Sequence, residues 1–350
     1  MLLPNIDFIA KATGHGSVGA LLIAKAPSDW EAKSAEYKIL AEVRSRKIVS
    51  TARFERLALA IFNKYRPNCN ENANAAIMIS VGWGDSGCSL PSDIPDPLSW
   101  LFWRYLKDHL SDQHVSAKKL LEGLMKKSLE LHQVDRDKNG QGVAPALRDL
   151  ARQPQAGPAQ GNFLLEMASL FEAGKNDIAV VELQSFCAIL LATTFLFDSE
   201  ADLHAALRDL FVVDGNAVSP KMAFSRWLDR LEARTGYKKD DLLWDGFVLP
   251  NFKEGLPEDR AREDLLRNPR RYRSGELVPP YFEATKCLQS LDPDFSLEER
   301  EKWNGEIEGR ELGLLFVLLV ANSARLIKKP GGNPDRPCQA VYDIFAPKAG

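Results

Sequence analysis

Twenty consecutive residues, Ile178 to Phe197, read IAVVELQSFCAILLATTFLF, an apolar run broken by Glu182 and Gln184. A segment this apolar has to leave water, and its polar breaks read it as a core helix rather than a lipid-facing one. The next most apolar window, Leu312 to Ala321, is about ten residues long, short of the roughly 20 that cross a hydrocarbon layer. Both windows are expected as buried core helices of an all-α or nearly all-α protein.

The chain of 350 residues is 45% hydrophobic, enough to bury a sizeable core, and its length favours two domains. Five cysteines, Cys69, Cys88, Cys187, Cys287 and Cys338, are scattered without a CxxC pair or a histidine spaced to complete a zinc site. Neither a disulfide framework nor a structural metal is indicated, and a reducing, cytoplasmic setting is expected. Pro4 and Asp7 interrupt the N-terminal stretch, which lacks a basic segment ahead of an apolar one and so does not resemble a secretory signal. With 45 basic and 48 acidic residues the net charge is -3. Contact with nucleic acid therefore has to rest on a local patch, and no membrane partner is expected.

Along the chain, Ser28 and Glu31 form a capping-box pattern ahead of a helical segment that reaches Tyr65, as one helix or two joined near Ser45 to Thr51. Residues 76–81 read as a short buried strand or a helical turn, and prolines 91, 95 and 97 exclude a helix through the loop that follows. Leu98 to Leu110, with Trp100 and Trp103 on one side, and the segment opened by Ser116 read as helices. RQPQAGPAQG, residues 152–161, has the composition of a linker. It divides an N-terminal domain, 1–151, from a C-terminal one, 162–350. Helices are expected at Phe163 to Ala173, Glu182 to Phe197 and Glu200 to Val213. Another follows the Asp214-Gly215-Asn216 turn, with Ser219 as cap, Pro220 at its first position and Gly236 as its stop. The segment Leu297 to Lys329 returns to a strong helical pattern, and the tail from Pro330 reads as irregular.

Ser86 sits in Gly84-Asp85-Ser86-Gly87. A G-x-S-x-G elbow needs glycines two residues to either side, and Cys88 takes one of those places, with a proline-rich loop following where a helix should donate an oxyanion-hole amide. The tetrapeptide resembles the nucleophile stretch of trypsin-like proteases over these four residues, without that motif's final glycine and on a helical chain. The reading is a loop that offers Trp83 to a partner. Ser86, with His15 and Asp85, is what a hydrolase with a dispersed active site would have to use.

DRDKNGQG places Asp135, Asp137 and Asn139 at positions 1, 3 and 5 of a calcium loop and Gly140 at position 6. Position 12 is Ala146, where a bidentate glutamate is required. A solvated acidic turn is the reading, and no metal or other cofactor is expected. RNPRRYRSGE gathers Arg267, Arg270, Arg271 and Arg273 around Tyr272, a pattern suited to phosphate forks and a stacked base, although Glu258, Asp259, Glu263 and Asp264 stand close enough in sequence to neutralise it. Lys118, Lys119, Lys126 and Lys127 fall near one helical face, as a solvated stripe or a surface for an acidic partner. The five histidines show no three- or four-residue spacing that would put two ligands on one helical face.

These features lead to a non-enzymatic helical subunit or adaptor acting through protein–protein contacts with other subunits. The alternatives are a nucleic-acid-associated component using Arg267 to Arg273, and the dispersed hydrolase.

Overall fold

The structure, a computed structural model, describes residues 2–14, 35–44, 53, 56–57, 60, 99, 103, 107, 114–137, 141–199, 212–213, 217–218, 223–235, 238, 270–272, 274, 276–279 and 318–345. It is nearly all α-helical, as the sequence predicts. The helices are α1 (Ile6–Ala12), α2 (Ala35–Arg44), α3 (Val115–Asp137), α4 (Val143–Ala151), α5 (Gly157–Glu172), α6 (Asn176–Ser199), α7 (Ala223–Thr235), α8 (residues 318–328) and α9 (Asp335–Phe345). Among the described residues the strands are β1 (Val212–Val213) and β2 (Ala217–Val218), paired antiparallel with Val212 opposite Val218.

The chain forms two compact units. One comprises Met1–Pro4, Ala12–Gly14 and Leu110–Gly350, the other Asn5–Lys11 and His15–His109. In the smaller unit Ile39, Leu57 and Trp103 are buried, and Arg53 pairs with Glu42 at 2.8 Å. Because α3 through α9 all lie in the larger unit, the boundary expected at 152–161 falls inside a unit rather than between two. Residues 154–156 form a 3-10 turn that runs into α5, and α5 lies along α4. The prolines that suggested a linker are helix starters: Pro154 and Pro158 each occupy the first turn, where a missing N–H costs no hydrogen bond. Arg148 then fastens the pair, with Nε donating to Glu172 Oε1 at 3.1 Å and Nη2 to Oε2 at 2.6 Å.

At the centre of the larger unit α6 touches α3, α5 and α9. The segment Asn176–Thr194 is long and apolar enough to cross a membrane, but 72% of that window is buried inside the protein. It is the core helix the sequence called for. Phe186 stacks on Phe163 of α5 with ring centroids 4.4 Å apart. Its buried hydroxyls stay within the helix: Ser185 donates to the carbonyl of Val181, Thr193 to that of Ile189 and Thr194 to that of Leu190. A helix with apolar neighbours on several sides can hold these side chains only because the carbonyl four residues back accepts them.

Two expectations are corrected by the structure. Val212–Val213, expected as the end of a helix, is a strand, in keeping with two adjacent β-branched residues before a turn sequence. The tail from Pro330, expected as irregular, contains α9. Gly331, at φ 88°, ends α8: its N–H bonds to Lys328 O and that of Gly332 to Ile327 O, the paired bonds of a Schellman cap. Asn333 Oδ1 then accepts the N–H of Asp335 at 3.1 Å and opens α9, with Pro337 tolerated in the first turn. The reversal is tight. A Cβ on Gly332 would stand 2.7 Å from Ile327 Cγ2 and 2.8 Å from Glu182 Oε1, so Gly332→Ala is expected to cost about 2 kcal/mol, measured as a lower urea midpoint at unchanged slope.

Candidate functional site

The arginine-rich stretch is the first place to look for a site. Arg270 to Tyr272 form a short helical turn, and Ser274 N–H closes it on Arg270 O at 3.0 Å. Tyr272 is 8% exposed and meets Phe224 edge-on at 6.4 Å, so its ring serves the core and is not presented to a base. Arg271 is held by Glu276, Nε to Oε1 at 2.9 Å and Nη2 to the same oxygen at 2.7 Å. This acid follows the arginines in sequence; Glu258, Asp259, Glu263 and Asp264, which precede them, lie outside the described residues. Arg270 is exposed. Arg267 and Arg273 lie outside the described residues.

A contributor that sequence reading missed is Arg325 of α8, whose Nη2 donates to the main-chain carbonyl of Glu276, 49 residues back. Partial burial, and then the neighbouring Arg271, hold the Arg325 guanidinium below its usual range. Two guanidiniums therefore share one residue: Glu276 gives its carboxylate to Arg271 and its carbonyl to Arg325. One turn on, Lys328 and Lys329 are exposed. In the sequence these lysines end an apolar run and look like ordinary helix punctuation.

On α3, Ala117, Leu121, Leu124, Met125, Ser128 and Leu131 are buried. That places Lys119 and Lys126, two turns apart, on the opposite face, with Lys118 and Lys127 at its two edges. Lys127 pairs with Glu130 at 2.9 Å. The outward stripe, Val115, Lys119, Glu122, Lys126 and Glu130, is exposed throughout and mixed in charge rather than uniformly basic.

The helix continues through Asp137, so Asp135 and Asp137 are both helical residues. The solvated acidic turn expected here is helix as far as Asp137; Asn139 lies outside the described residues. Among the described residues no group of three or more His, Cys, Asp or Glu is placed to hold a metal ion. Ser86, with Trp83, Asp85 and His15, also lies outside them.

Among the described residues a polar cluster joins three helices. Glu182 of α6 has a fully buried side chain. Its Oε1 accepts the N–H of Asn333 at 2.9 Å, and its Oε2 accepts Arg336 Nη1 at 2.8 Å. Arg336 Nε reaches Glu166 of α5 at 2.7 Å. Burial pushes the Glu182 carboxyl up, against the lowering by the Asn333 amide and by Arg336. The charge at position 182 was the visible signal that a partner had to exist; Arg336, 154 residues on, was not visible. Cys187 and Cys338 are free, fully buried thiols, the former pushed up to about 12 by burial, and so are unreactive at neutral pH. Asn322 Nδ2 and Ser323 Oγ on α8 are buried with no hydrogen-bond partner among the described residues.

Comparison with protein-family models, curated proteins and solved structures finds no match to this chain.

Proposed function

We propose that the protein is a helical subunit that works by presenting α3 to a partner protein. The observation that carries this reading is the stripe Val115, Lys119, Glu122, Lys126 and Glu130. It follows three- and four-residue spacing down the solvent side of a helix whose other side is buried. An exposed valine at one end and alternating charge along the rest suit a partner helix that offers the complementary order of charges. The buried polar groups of the larger unit serve a different purpose, since the Glu182, Arg336 and Glu166 cluster fastens α5, α6 and α9 to one another.

The test is light scattering across a size-exclusion peak of the full chain recovered from its native host, for the wild type and for Lys119→Glu with Lys126→Glu. The wild type is expected as a complex heavier than one 39.0 kDa chain. The double reversal is expected to release the single chain, with a melting temperature close to the wild type's because both lysines are exposed. A wild type that elutes as a bare monomer, or a reversal that leaves the complex intact, overturns the reading.

A further inference from the structure

Among the described residues around Arg325, the cations outnumber the acids that answer them. Of the described cations Arg270, Arg271, Arg325, Lys328 and Lys329, Arg271 is the one ion-paired, to Glu276, while Arg325 bonds that residue's main-chain carbonyl. Arg325 spends one donor on a neutral carbonyl, which leaves the rest of a five-donor planar fork. Lys328 and Lys329, three and four residues on, lie on the same side of the helix end as Arg325.

We infer that Arg270, Arg325, Lys328 and Lys329 form a cationic surface that binds the phosphodiester backbone of nucleic acid without regard to base sequence. Charge alone distinguishes this surface. The described apolar residues beside it, Tyr272, Val278 and Ile327, are buried, so among the described residues no aromatic or aliphatic anchor is offered of the kind that dominates protein–protein contacts. A polyphosphate chain needs no such anchor, because release of its condensed counterions supplies the affinity. With Tyr272 withdrawn into the core, no base-stacking platform accompanies the cations among the described residues, in keeping with indifference to base sequence. The surface is separate from the α3 stripe, so its failure would leave the partner-helix reading standing.

The experiment is fluorescence anisotropy of a labelled duplex DNA of about 20 base pairs with the full chain, across about 50 to about 200 mM salt. Three to four phosphate contacts predict a log–log salt slope of about -3, hence a loss of about sixtyfold in affinity over that range. Lys328→Glu with Lys329→Glu, at exposed positions, is expected to weaken binding at least about tenfold at the lowest salt and to reduce the slope by about 2. Arg325→Gln is a second variant, read beside a melting curve because it also removes the bond to Glu276. Absence of wild-type binding at about 50 mM salt overturns the inference. So does a folded Lys328→Glu, Lys329→Glu variant that binds as the wild type does, or competition by polyglutamate as effective as by unlabelled DNA.

Discussion

Arg336→Met is expected to destabilise the larger unit by about 3 kcal/mol, the largest effect of any single charge removal among the described residues. The side chain answers two carboxylates, and one of them, Glu182, is 0% exposed, so without the guanidinium it is left as a buried charge held only by the Asn333 amide. Arg336 itself is 28% exposed, which lets water approach and places the cost at the lower end of the range for broken buried pairs. Urea unfolding at pH 7 measures it. The deficit should also depend on pH with a definite sign. Burial already raises the Glu182 carboxyl in the wild type, and loss of Arg336 raises it further. A carboxyl raised in the folded state contributes stability that is present below its unfolded value, about 4.3, and lost as pH rises through the folded one. The variant is therefore closest to wild type in mild acid, and the gap widens towards neutrality. Adding Glu182→Gln to the variant should flatten that dependence, whereas a deficit independent of pH would show that Arg336 acts through packing alone.

This cluster shows where sequence reading succeeded and where it stopped. Helical periodicity and the apolar run were enough to predict a nearly all-α chain with α6 in its core, because burial of an apolar helix is a property of the segment itself. The end of α7 at Thr235, one residue before Gly236, was legible for the same local reason. What failed depended on context. Pro154, Gly157 and Pro158 carry the composition of a linker, yet each is also compatible with the first turn of a helix, and only the docking of α5 on α4 decides between the two. In the same way PGGNPD reads as irregular until Glu182, far away in sequence, accepts Asn333 N–H and fixes the turn into α9. The candidate sites behaved likewise. Tyr272 amid arginines looks like a base platform in one dimension, but Phe224 claims the ring, while Arg325 joins the arginines through a carbonyl that carries no sequence signature.

Phe186→Ala is expected to cost about 4 kcal/mol, since it empties a site deep in the larger unit. The ring is 2% exposed and stacks on Phe163 with 22° between planes, so its removal loses transfer free energy, the aromatic contact and the packing of everything around the void. Helices α5 and α6 are braced on two sides, by the Glu172 to Arg148 fork and by the Glu182 and Glu166 bonds to Arg336, which restricts collapse into the cavity and keeps the cost high. Phe186→Leu should lose less, about 1 to 2 kcal/mol, because most of the volume is retained. Equal losses for the two would mean that the site relaxes freely and that the braces do not hold. The variant also separates stability from partner binding. Well below its midpoint, Phe186→Ala should still assemble, because the α3 stripe is on the opposite side of its helix from the core, whereas Lys119→Glu with Lys126→Glu should lose the partner while melting as the wild type does. A Phe186→Ala protein that is fully folded yet fails to assemble would place the partner contact in the core packing of α6 and not on the outward face of α3.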